Sequence, residues 1–151
     1  KEVKRMKKFA ALAAAIAVLA SASAAFAQDV TVKVNGETVV FDQQPVMDGD
    51  QLLLPFRFIA EKLGANVSWY EDNSESFIIR QVLCQKGDSV TVMQIGNQNI
   101  FVNDKVIALD KAPVIIGDRT LVPAAAIEGA TGATVTWNKD AAEVTVSSAE
   151  K

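Results

Sequence analysis

Two tryptophans, one tyrosine, one cysteine and 18 carboxylates are the side chains with chemistry to offer in this 151-residue chain, which has no histidine. That absence removes His-ligated metal sites, Ser–His and Cys–His nucleophilic pairs, and imidazole acid–base catalysis. With Cys84 alone, no intrachain disulfide and no Cys-only zinc site can form. Carboxylate pairs of the glycosidase kind, lysines, Tyr70 and unassisted hydroxyls are what remain for catalysis. Asp48-Gly49-Asp50 and Glu71-Asp72…Glu75 gather the oxygen ligands that Ca²⁺ takes. Neither follows a calcium-loop spacing, and acidic turn residues are the default, so no metal and no cofactor is expected. Trp69 and Trp137 offer flat rings to a sugar or a peptide, but their matched places in Val-x-Trp segments weigh toward a core or hinge role. Cys84 leaves two readings open: an intermolecular disulfide in an exported protein, or a small buried residue beside Val82 and Leu83.

The first 27 residues carry an address rather than chemistry. Lys4, Arg5, Lys7 and Lys8 precede an apolar run over residues 9–20, and small residues then lead to Ala25-Phe26-Ala27 before Gln28. This is the three-part layout of a secretory signal peptide, cleaved after Ala27, with Met6 as its expected start. The apolar run is short of the roughly 20 residues that a membrane span needs. Gln28, not Cys, stands directly after the cleavage site, so no lipid anchor is expected there. The leader holds five basic side chains and one acidic, so its loss takes the net charge from −3 to −7 over the remaining 124 residues. An acidic chain without a Lys/Arg stripe lacks the footprint of a nucleic-acid binder. No later apolar run approaches a membrane span, so a soluble product is expected outside the inner membrane: extracellular, cell-surface or periplasmic.

The elements that must position the remaining side chains follow from an internal repeat. Shifted by 68 residues, the segment 32–75 registers on the second half without a gap, and 14 of the 35 positions between 41 and 75 are identical. Average usage would give roughly two or three. Pro45 and Pro55 meet Pro113 and Pro123, and Trp69 meets Trp137, which marks a duplication. Residues 30–34 and 38–41 alternate around Asn35-Gly36, a hairpin signal. Residues 51–54 read as a short buried strand. Phe56, Ile59, Ala60 and Leu63 then share one helical face, with Pro55 at its start, Gly64 at its end and an Arg57–Glu61 pair one turn apart. Residues 66–70 and 76–80 form a second hairpin around the polar turn 71–75. The second repeat copies the plan with strands at 99–102, 106–109, 134–137 and 143–146 and a helix near 124–130. A linker with an extra strand, 81–97, joins repeats at about 30–80 and 98–148. The expected fold is one α+β domain, residues 28–151, an antiparallel sheet curled around two short helices.

The segment from Leu54 through Pro55, Arg57, Glu61 and Gly64 to Trp69 resembles the motif V-P-x-R-x-[I/L]-A-E-x-L-G-A-x-V-x-W of the copper amine oxidase N-terminal-like, or stalk, domain family. Pro123, Gly132 and Trp137 repeat it, so the resemblance spans about residues 30–148. It implies a small α+β unit found in exported bacterial proteins, in which Pro55, Arg57, Glu61, Gly64, Trp69, Pro123, Gly132 and Trp137 are structural. It implies no amine-oxidase chemistry, because the copper and redox cofactor of those enzymes belong to a different domain. The second copy departs from the motif, with Ala125 for Arg57 and Gly129 for Glu61. A mid-helix Gly costs roughly 1 kcal/mol, so the second helix is expected to be shorter or looser than the first. Its alanine surface is read as divergence after duplication or as a packing face.

Catalysis would need substrate loops for which a duplicated unit of this size has little spare chain, so no enzyme is expected. Two classes remain. One is a non-catalytic, envelope-associated binding module for a cell-wall component, a polysaccharide or a protein partner. The other is a structural element or spacer that self-assembles, as a homo-oligomer, through its sheet edges and Cys84.

Overall fold

A computed structural model of the chain describes residues 29–149; the leader expectation, with Ala25, Ala27 and Gln28, lies outside the described residues. The first half supplies β1 (Thr31–Val34), β2 (Glu37–Val39), β3 (Val46–Asp48), β4 (Gln51–Pro55), α1 (Phe56–Lys62), β5 (Asn66–Asn73) and β6 (Ile78–Lys86). After β7 (Ser89–Gln94) come β8 (Asn99–Val102), β9 (Lys105–Ala108), β10 (Val114–Ile116), β11 (Arg119–Pro123), α2 (Ala124–Thr131), β12 (Thr134–Asn138) and β13 (Glu143–Ser147).

Local chemistry sets these elements. Asn35 and Gly36 both take positive φ, 52° and 86°, as a two-residue type I′ hairpin demands. Phe56, Ile59 and Ala60 of α1 and Leu63 at its C-cap are at most 7% exposed, which places the apolar stripe against the core. Pro55 sits extended at the N-cap of α1 and Pro123 at that of α2, where a missing N–H leaves no orphan donor. Gly64 follows α1 at φ +90°, and Gly132 closes α2 at φ +78° with its N–H donating to the Glu128 carbonyl at 2.8 Å.

The strands form three sheets, not the one expected: β12-β13-β1-β2, β10-β11-β4-β3 and β5-β6-β7-β8-β9. They are not uniformly antiparallel either, since β1 runs parallel to β13. Both differences have one cause, an exchange of hairpins. The opening hairpin β1–β2 pairs with β12–β13 of the second half, and β8–β9 completes the sheet begun by β5–β6. Each half therefore finishes the other's sheet, and neither could bury its own faces alone.

The middle sheet shows how the halves relate. Leu53, Leu54 and Pro55 oppose Pro123, Val122 and Leu121. Leu54 thus faces the residue 68 positions ahead, and the flanking pairs exchange when the halves are interchanged. The register is symmetric about the Leu54–Val122 pair, and α1 and α2 are in contact.

Two local expectations need correction. Residues 81–86 are no linker but the second half of β6. Trp69 opposes Val82 while Trp137 opposes Val144, so the first hairpin is six residues longer than the second. The correspondence drops from 68 to 62 beyond the tryptophans, and the turn falls at residues 74–77 instead of 71–75. Glu143 stands where Gln81 does, so its ungapped match to Glu75 was coincidental.

Nor is the second helix shorter: α2 has eight residues and α1 seven. A Cβ on Gly129 would lie 2.8 Å from Ile107 Cδ1, so the glycine admits the third sheet to close contact with the helix. The alanine surface is used inside the molecule as well, with Ala126 fully buried. Gly129→Ala is therefore expected to destabilise the fold by about 1–3 kcal/mol in urea unfolding, the overpacking outweighing Ala's better helix propensity.

Candidate functional site

A cleft of about 390 Å³ opens between the start of α1, the middle of β5 and the β10–β11 hairpin. The pleat of β5 turns Val67 and Trp69 toward the interior side, level with Cys84 and Val82 opposite them on β6. Phe56, Val67 and Val82 line the cleft beside the Trp69 ring, which is 44% exposed. Polar groups stand around this apolar floor: Arg57 on α1, and Asp118 and Arg119 on the β10–β11 hairpin.

The guanidinium groups are already committed. Arg57 Nε donates to Glu61 Oε2 at 3.0 Å, one helical turn away. Arg119 donates to both oxygens of Asp42, from Nε at 3.1 Å and Nη2 at 2.5 Å. Its Cζ also lies 5.3 Å from the centroid of the Phe58 ring, which meets Phe41 edge-on with centroids 5.8 Å apart. Aromatic contact and bidentate pairing together fix one wall of the cleft. The hydrogen bonds from Arg119 hold the Asp42 carboxyl below its usual range. The support from that pair is therefore complete above the ordinary Asp value and fades as pH falls through the lower folded-state value.

The second half does not repeat this cleft. Ala124, Ala125 and Ala126 replace Phe56, Arg57 and Phe58, and Gln51 occupies the place equivalent to Arg119. Trp137 is half-buried against the core, with its Nε1 buried and without a partner among the described residues. Identical residues at matched positions thus lead different lives: Trp137 packs, and Trp69 is presented. Phe58, Asp118 and Arg119 were missed as site residues because the longer-range hairpin contact brings two of them from the other half. The available signal was the mismatch of Phe56-Arg57-Phe58 against three alanines, in which the bulky member marks the cleft.

Pro55, Gly64, Pro123 and Gly132 take the helix-terminal places given above, and Arg57 and Glu61 make the exposed ion pair. Among the acidic clusters, Glu71 is paired with Arg80 at 2.9 Å and Asp48 with Lys111 at 3.7 Å. No three acidic or thiol side chains converge as metal ligands among the described residues.

Cys84 is 1% exposed within β6, which takes its sulfur out of reach of an intermolecular disulfide in the folded chain. Burial pushes its thiol from 9.0 up to about 11. The unfolded chain loses that proton first, so this contribution to stability is complete below about 9 and lost as pH rises toward 11. Cys84→Val, which installs the residue found at the matched position Val146, is expected to flatten the alkaline fall in urea midpoint. The native thiol is expected to resist alkylation that goes to completion in denaturant.

Neither a curated protein nor a solved structure matches the chain. Residues 33–146, which include α1, α2, the second and third sheets, most of the first sheet and the cleft, match the copper amine oxidase N-terminal domain. The match covers most of the chain, in agreement with the doubled proline–glycine–tryptophan framework, and the chain belongs to the copper amine oxidase N-terminal domain family.

Proposed function

We propose that the chain is a non-catalytic, exported binding module that attaches to the cell envelope by holding a segment of polysaccharide in the Trp69 cleft. One observation carries this reading: of two matched tryptophans, the one beside α1 keeps its ring open over a polar-rimmed cleft. A flat aromatic face takes the C–H face of a pyranose, while Asp118 and the remaining Arg57 donors suit its hydroxyl groups. The volume of about 390 Å³ lies in the range of small-ligand sites. Arg57 and Arg119 are already paired with carboxylates, which favours a neutral sugar over an acidic one. Export rests on the basic–apolar–A-x-A leader of the sequence, and the 68-residue correspondence is taken as an internal duplication whose first half kept the site.

Co-sedimentation of the purified chain with envelope fragments, over a range of protein and salt concentrations, tests the proposal. Saturable binding that survives moderate salt and is competed by soluble wall polysaccharide supports it. Protein left in the supernatant overturns it.

A further inference from the structure

The outer face of the third sheet carries a largely apolar row where the matching row of the first sheet is polar. Ser68, Leu83, Val92, Phe101 and Val106 oppose one another in a single row across all five strands. Leu83, Phe101 and Val106 are 36%, 45% and 59% exposed. The matching row of the first sheet reads Thr136, Thr145, Lys33 and Thr38, with Lys33 paired to Glu143 at 3.0 Å. The third sheet inserts β7 between the strands matched to β13 and β1, but the four matched strands keep the same facing positions, so the shared part of the architecture does not require apolar side chains there. An exposed apolar row that the fold does not demand is the mark of a contact surface.

We propose that this face joins two copies of the chain, sheet against sheet about a twofold axis. Charge selects the occupant. The chain is acidic, at −3 overall, so a second copy meets a net like charge. On this face Asp72, near the hairpin end, is the one charge the pleat places among the described strands, so a second copy can approach here and a charged partner finds nothing to pair with. The flanking rows set Gln81 beside Gln94 and Gln85 beside Val90. Amides both donate and accept, which suits a contact made by the same patch from both sides. Size agrees: five strands about 4.8 Å apart, each about six residues long, give on the order of 500 Å² per copy, the lower end for a specific interface. The dimer is therefore weak and reversible. Val67, Trp69 and Val82 line the cleft from the interior side of the same sheet, and Ser68, at the β5 edge, belongs to both cleft and row, so most of the cleft stays clear of the contact.

Sedimentation velocity tests this on the full chain and on residues 28–151, which contain the strands and helices described above. The range of about 5 to 300 µM brackets a micromolar dissociation constant. Both forms are expected to dimerise with concentration. Phe101→Lys with Val106→Thr, the residues of the first sheet, is expected to weaken dimerisation by about tenfold or more while leaving the circular dichroism unchanged. Leu83→Thr probes the same row should the double variant fold poorly. Monomers throughout, or a dimer indifferent to these substitutions, overturn the proposal. Association that requires residues 1–27 also overturns it, by assigning the cover to the leader.

Discussion

Trp69→Ala is expected to reduce envelope binding by about tenfold to a hundredfold while costing less than about 1 kcal/mol of stability, and Trp137→Ala is expected to do the reverse. The two residues match in sequence, in strand and in the residue that each opposes, Val82 or Val144. Only their surroundings differ. Trp69 stands beside Phe56 and Arg57 with 44% of its surface in solvent, so truncation removes a presented ring and opens little cavity. Trp137 packs against the core of the first sheet, and its truncation is expected to cost about 3 kcal/mol in urea unfolding. Its buried Nε1 has no partner among the described residues, and removing that donor offsets part of the loss. Binding measured well below the unfolding midpoint separates the effects. Equal binding by wild type and Trp69→Ala would remove the cleft from the function, whatever the stability data show.

The internal comparison also explains what could be read from the sequence. Proline, glycine and tryptophan positions were legible because each answers a local demand: a donor-free helix start, a left-handed helix end, a large ring on an alternating strand. Phe56, Ile59, Ala60 and Leu63 were legible for the same reason, as one stripe at helical spacing. The hairpin exchange was not, because β1 beside β13 is a pairing between ends of the chain that no local pattern encodes. The length of the β5–β6 hairpin escaped because Glu75 and Glu143 supplied a false match across a six-residue difference in hairpin length. Of the two readings open for Cys84, the buried one holds because β6 carries it on the interior side beside Val82. Gly129 was misjudged because helix propensity speaks to the isolated helix, whereas the 2.8 Å approach to Ile107 belongs to the packing of α2 on the third sheet.

The same asymmetry predicts the largest loss of stability. Phe56→Ala is expected to cost about 3–5 kcal/mol, a large part of the 5–15 kcal/mol that holds a domain of this kind together. Phe56 is fully buried at the first turn of α1, while its match in α2 is Ala124. One half thus works with the residue that the other half loses most by adopting. The reason lies in how each helix meets its sheet. Gly129 and Ala126 bring α2 close to the third sheet, where a large ring would not fit. The first helix carries Glu61 and Phe58 at those matched positions and packs on β5 and β11, so the space beneath its first turn is filled by Phe56. Phe56→Leu keeps most of the volume and is expected to cost less than about 1.5 kcal/mol. A loss below about 1 kcal/mol for Phe56→Ala would mean that the cleft floor collapses to fill the gap. In that case saccharide binding should fall with it, as it does for Trp69→Ala. A loss in the expected range instead leaves a fold that, well below its midpoint, still presents the Trp69 ring, so binding and stability separate again and the cleft is shown to rest on β5 rather than on the first turn of the helix.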